Sequence, residues 1–130
     1  GAYGEVYVLS TKTGMTWLAQ VVGDYDVLAV GFSPFFADDE GIVAVVTDDY
    51  ESATGLTRVT FAFAYTATGG GWGVDFGDAK VRDAYGDDFA SSHARIAFPD
   101  DFDAYGIGTN VCFVGIYAGS DTDPDAMDGD

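Results

Sequence analysis

The 130-residue chain has one cysteine, one histidine and three prolines, and its lysines and arginines together number only five. Each shortage excludes something. A lone Cys112 forbids an internal disulfide, and a single domain of this length can bury a core without a disulfide or a structural metal. Cys112 lies in the apolar run "NVCFVGIYA", where a free thiol packs as a small hydrophobe and lacks the electropositive setting of a thiolate nucleophile. Zinc wants several closely spaced His or Cys ligands, whereas His93 and Cys112 stand nineteen residues apart. Nucleic acid needs clustered bases against its phosphates. Lys12, Arg58, Lys80, Arg82 and Arg95 are scattered, apart from "KVR" at 80–82, so no nucleic-acid partner is expected. No run approaches the roughly 18 apolar residues of a membrane span. The longest candidate, "VLAVGFSPFFA", is broken by Ser33 and Pro34, so no membrane insertion is expected, and no secretory-signal pattern is read.

What the chain has in excess is acid: nineteen Asp and three Glu give a formal net charge of −17. The pairs Asp38/Asp39, Asp48/Asp49, Asp87/Asp88 and Asp100/Asp101 punctuate the whole sequence, so the charge coats a folded surface and is not confined to one acidic block. Such a coat strains a compact domain by self-repulsion, but at about 1 M salt the Debye length falls to about 3 Å. Two lysines, three arginines and an abundance of Asp, Ala, Val and Gly resemble the composition of haloarchaeal proteins. That resemblance covers the whole chain, identifies no family, and implies an extreme halophile and a high-salt environment.

Short apolar or alternating runs separated by Gly, Asp and Ser recur along the chain, and no segment sustains the spacing of an amphipathic helix. Strands are expected at "GEVYVLS", "MTWLAQVV", "DVLAVGF", "GIVAVVT", "LTRVTFAFAYT", "WGVDFGDAKVRD", "HARIAFP" and "VCFVGIYA". About eight short strands with turn residues between them predict an all-β fold, an antiparallel β-sandwich or barrel of jelly-roll-like type. It spans residues 1–120, and an acidic C-terminal tail follows at 121–130. "FSPFFADDEG" is read as a short turn and "DDFASSHA" as the place for one helical turn, capped by Asp or Ser. In "VTFAFAY", Val59, Phe61, Phe63 and Tyr65 share the expected core parity. In "GVDFGDAKVRD" the apolar parity slips at Gly77-Asp78, where a β-bulge would restore one face. Glycines 69–71 and Gly73 around Trp72 suit an irregular connection in which the indole either covers the end of the core or meets a partner.

Catalytic material is sparse. There is no "GxSxG" elbow to single out a serine, and His93 begins an alternating strand whose residues His93, Arg95 and Ala97 share the expected solvent face. Paired carboxylates can run a glycosidase, but among twenty-two acids no pair is distinguished. No enzyme activity and no resident cofactor are expected. The one cation chemistry on offer is calcium or another hard cation, held by the alternating Asp121, Asp123 and Asp125 of "DTDPDAMDGD". Ala126 stands where an EF-hand needs its glycine, so that motif is excluded.

Aromatics make up 15% of the chain, and several fall in expected loops. Exposed aromatics in specific places mark interfaces, which singles out Phe35, Phe36, Trp72, Tyr85, Phe102 and Tyr105. "GIVAVVT" and "VCFVGIYA" are apolar on both parities, as in strands covered on both faces. The cover is either more of this chain or an identical subunit. These features together predict a non-enzymatic structural subunit that assembles with itself or with other subunits of a halophilic particle, with a virion component such as a capsid-surface or tail protein as the best fit. The alternative is an extracellular or surface module that grips carbohydrate with Trp72, Tyr85 and Tyr105, its aspartates holding calcium.

Overall fold

The structure, a computed structural model, describes residues 4–10, 14–48, 56–62, 72, 79–82, 84–86, 89, 91–103, 105 and 107–118. The chain is all-β: β1 (Tyr7–Ser10), β2 (Thr16–Ala19), β3 (Asp26–Phe32), β4 (Ile42–Asp48), β5 (Leu56–Ala62), β6 (Ala79–Val81), β7 (Ser91–Ala97) and β8 (Phe113–Ala118), with one helical turn, α1 (Phe36–Asp39), between β3 and β4. Among the described strands the pairings are antiparallel and form three sheets, β1-β2, β3-β4-β5-β6 and β7-β8. Among the described residues no ladder joins one sheet to another.

Strand β4 organises the molecule. Its Val and Ile residues favour the pleated backbone, and every residue from Gly41 to Thr47 is buried. Side chains on a strand alternate between faces, and the two faces of β4 enter separate clusters. Ala44 and Val46 pack with Val6, Val22, Tyr25, Val27 and Trp72. Val43 packs with Phe102, Ile96, Phe98 and Cys112. The double-sided apolar pattern of "GIVAVVT" is thus covered on both faces by the same chain. Each fully buried valine there contributes roughly 1.5–3 kcal/mol over exposure.

The first cover comes from Val6 and Val22, which flank the β1-β2 hairpin, with Tyr25 and Trp72 beside them. The ladder pairs Leu9 with Trp17 and Tyr7 with Ala19, and Gln20 N–H extends it by donating to Val6 O at 2.8 Å. The Glu5 carboxylate then accepts from the backbone N–H of both Val6 (2.8 Å) and Val22 (3.1 Å), tying the two chain ends of the hairpin together. Between them Val21 is held at φ 54°. This left-handed conformation is strained for a β-branched residue; Val21 is exposed and Val22 buried.

The second cover is the β7-β8 hairpin, with Ile96 opposite Val114 and Ala97 opposite Phe113. It approaches β3 closely. A Cβ on Gly31 would lie 3.0 Å from Phe98 Cε2 and 3.5 Å from Ile96 Cγ2.

Two local expectations are corrected. The helical turn falls in "FSPFFADDEG", where the Ser33 hydroxyl donates to Asp39 Oδ2 at 2.6 Å and Glu40 closes the turn at φ 50°. "DDFASSHA" does not hold one at its serines, because Ser91 already begins β7 and its buried hydroxyl hydrogen-bonds the carbonyls of His93 and Tyr117. Ladder irregularities occur at 27–29 of β3 and 91–93 of β7. The bulge expected at Gly77-Asp78 and the side chains of Val59, Phe61, Phe63 and Tyr65 lie outside the described residues, as does the tail at 121–130. No described helix is long and apolar enough to cross a membrane.

Candidate functional site

Two concave surfaces and one convex face gather the residues able to meet something outside the chain. The first concavity, about 460 Å³, lies between the α1 turn and the loop before β8, and is lined by Phe35, Asp38, Asp39, Asp101, Asp103, Tyr105 and Thr109. Its geometry follows from local hydrogen bonding. Ser33 Oγ accepts from Phe35 N–H at 3.0 Å, and Asp39 Oδ1 accepts from Gly41 N–H at 2.8 Å. Asp39 is buried with both oxygens in use, so it braces the turn and leaves Asp38 to face outward. Phe36 is half-buried, its ring edge-on to the exposed Phe32 at 5.0 Å. On the opposite wall Phe102 N–H donates to Pro99 O and Asp103 N–H to Thr109 O, each at 3.1 Å, while Asp103 Oδ1 accepts from Tyr105 N–H at 2.9 Å.

The result is a pocket with carboxylates on both walls and two exposed rings, Phe35 and Tyr105, at its edge. Chemically it suits a cationic or polyhydroxylated group, since carboxylates accept hydrogen bonds and aromatic faces attract cations. Among the described residues no group of three His, Cys, Asp or Glu side chains is placed to hold a metal ion.

The second concavity, also about 460 Å³, is a cleft on the outer face of the β7-β8 hairpin, lined by His93, Ala94, Arg95, Gly115, Ile116 and Tyr117. His93, Arg95 and Ala97 face solvent, as their parity predicts. Arg95 stands opposite Gly115 in the ladder, and no atom comes within 4 Å of where a Cβ on Gly115 would sit. Phe113 and Tyr117, on the same parity as Gly115, are 64% and 58% exposed. His93 stacks edge-on against Tyr117 at 6.2 Å, and its Nδ1 lies 3.0 Å from Ser92 Oγ. Among the described residues no carboxylate lines this cleft, and none is placed beside the histidine as a serine–histidine–aspartate relay requires.

The convex face is the outside of the β1-β2 hairpin. Tyr7, Leu9, Met15, Trp17 and Val21 are all exposed there, Trp17 by 63%. Their neighbours on the opposite parity, Val6 and Val22, are buried, so the hairpin is apolar on both sides while only one side is packed.

The residues singled out by sequence separate into three groups. Phe35 and Tyr105 both line the first concavity, and Tyr85 stands 92% exposed. Phe36 and Trp72 are half-buried, and Trp72 covers the first core cluster with its Nε1–H donating to Gln20 O at 3.0 Å. Phe102 is no contact residue: its turn onto Pro99 O sends the ring into the second cluster at 0% exposure, edge-on to Phe98 at 4.9 Å. Asp121, Asp123 and Asp125 lie outside the described residues.

Sequence reasoning missed Tyr7, Leu9, Trp17, Phe113 and Tyr117 as surface residues. Their signal was present in the two-sided apolar pattern of hairpins short enough to be covered on only one side. Burial pushes the Cys112 thiol above the ordinary range, with a backbone hydrogen bond opposing it more weakly, which disfavours a thiolate nucleophile. No protein-family model, no curated protein and no solved structure matches this chain.

Proposed function

We propose that this chain is a non-enzymatic subunit of a larger assembly that works in high salt, with a virion component, a capsid-surface or tail protein of a halophile, as the particle class it best fits. The observation that carries the reading is the outer face of the β1-β2 hairpin. Tyr7, Leu9, Met15, Trp17 and Val21 leave apolar surface in water on a molecule whose formal charge is −17. None of these side chains belongs to a buried core cluster, and exposed apolar surface gathered in one place is the usual mark of a protein–protein contact.

The test is light scattering coupled to size exclusion in molar KCl, with and without chelator. The expected species is several times the chain mass, unchanged by chelator, and reduced to monomer by Trp17→Ser with the far-ultraviolet circular dichroism intact. A monomer at all concentrations would refute self-assembly.

A second reading is favoured by one observation, the acid-and-aromatic concavity between Phe35 and Tyr105. As a surface or extracellular carbohydrate-binding module, the chain would bind a glycan as a monomer and lose it on Tyr105→Ala. Calcium dependence of that binding would bring in the aspartates.

A further inference from the structure

Arg95 is in an unusual position for this chain. Acids outnumber bases twenty-two to five, yet Arg95 is exposed on a cleft that no described carboxylate lines. Among the described residues its guanidinium has no ion pair and no hydrogen bond. The glycine opposite leaves the space beside it open, and Phe113 and Tyr117 flank that space. A guanidinium in such a notch is set for a planar carboxylate, which it engages through two parallel hydrogen bonds, and for an aromatic ring, on which it stacks. The same molecule presents both chemistries elsewhere. At the first concavity Asp38 and Asp101 are exposed with no partner among the described residues, beside the rings of Phe35 and Tyr105.

We infer that the occupant of each surface is the other surface on a second copy of this chain. The Arg95 cleft of one subunit seats against the Asp38/Asp101 concavity of the next. This inference rests on the assembly reading and deepens it by naming the contact. Charge complementarity is what selects a second copy: two molecules at −17 repel each other over nearly every orientation, and the Arg95 face is a place where one offers the other a cation. Because the two surfaces differ, the contact is heterologous, and each subunit keeps a free copy of both. Such a contact builds a ring if the rotation closes and a filament if it does not. Molar salt reduces the long-range repulsion by shortening the Debye length to about 3 Å, while ion pairs at contact distance survive it better.

A charge-swap pair tests this. Arg95→Glu gives a chain acidic at both surfaces, and the double variant Asp38→Arg/Asp101→Arg gives one with guanidiniums at both, beside the Asp39 and Asp103 that remain in the concavity. All four outcomes are read by light scattering in molar KCl, with circular dichroism to verify folding of these exposed-site variants. Each variant alone is expected to weaken self-association by roughly tenfold or more, as for other close interfacial charge pairs, and an equimolar mixture is expected to restore it. The double variant is the sharper arm, because it lowers the net negative charge and would associate more strongly if bulk repulsion alone were at work. Wild-type association with no effect of either variant would overturn this contact and leave the assembly reading standing. Loss in both variants without rescue on mixing would also overturn it, since the two surfaces would then not face each other. A monomeric wild type would overturn contact and assembly reading together.

Discussion

Phe102→Ala separates a core residue from a contact residue by sign and size. The ring is wholly buried, touches the Val43 side of β4 and meets Phe98 edge-on at 4.9 Å. Truncating a buried phenylalanine costs about 3–5 kcal/mol, from lost transfer energy and the cavity left behind, and the aromatic pair accounts for about 0.5–1.5 kcal/mol of such an effect. The expected loss is therefore about 4 kcal/mol, against a total of roughly 5–15 kcal/mol for a native domain. Phe102→Leu, which keeps most of the volume, should lose only about 1–1.5 kcal/mol. The assay is urea unfolding at fixed molar KCl, followed by tryptophan fluorescence and circular dichroism, with the slope checked for constancy. A loss below about 1 kcal/mol for the alanine variant, accompanied by weaker self-association, would show that the ring faces a partner and that its placement in the second cluster is mistaken.

Thr47→Val should stabilise the fold by about 1 kcal/mol, because the Thr47 hydroxyl is buried with no hydrogen-bond partner among the described residues and its replacement by a methyl removes an uncompensated polar group. Destabilisation in the same urea assay would reveal a partner for it. Cys112 should alkylate with a pH midpoint above that of the urea-unfolded chain, since burial holds the folded thiol neutral to higher pH. By linkage, the stability this carries is present below the ordinary thiol range and drains as pH rises through it, so Cys112→Val should flatten the alkaline fall in urea midpoint. Lowering KCl from about 1 M to about 0.1 M lengthens the Debye length from about 3 Å to about 10 Å. It should therefore lower both the urea midpoint and the degree of association, and an unchanged oligomer with the fold intact would refute the screening argument.

All eight strands were legible because valine, isoleucine and alternating runs between Gly, Asp and Ser signal them without tertiary information. β4 was legible even as a doubly covered strand. What covers it was not, since Val6, Val22, Phe98 and Phe102 come from segments far apart in the chain. The misplaced helical turn has a definite cause. Serine caps helices, but Ser91 uses its hydroxyl on two strand carbonyls, whereas the Ser33–Asp39 bond that frames α1 spans six residues and has no short-range signature. Of the candidate contact residues, Phe35, Tyr85 and Tyr105 are exposed and Phe102 is not. Loop residence alone cannot distinguish these cases, because a turn such as Phe102 onto Pro99 decides which way a ring points.

The layering also sets what the outer face of each hairpin requires. A hairpin laid on one face of a sheet buries one parity of its side chains, so an alternating pattern with polar residues outside would have sufficed to fold it. β7 follows that economy, with His93 and Arg95 outside and Ala94 and Ile96 inward. The β1-β2 hairpin does not, since Leu9 and Trp17 are cross-strand partners on the open side, and neither adds to the cluster beneath. On the assembly reading proposed above, aspartates on that face would repel a like-charged neighbour, whereas a neutral apolar face would let a second copy approach where desolvation is favourable.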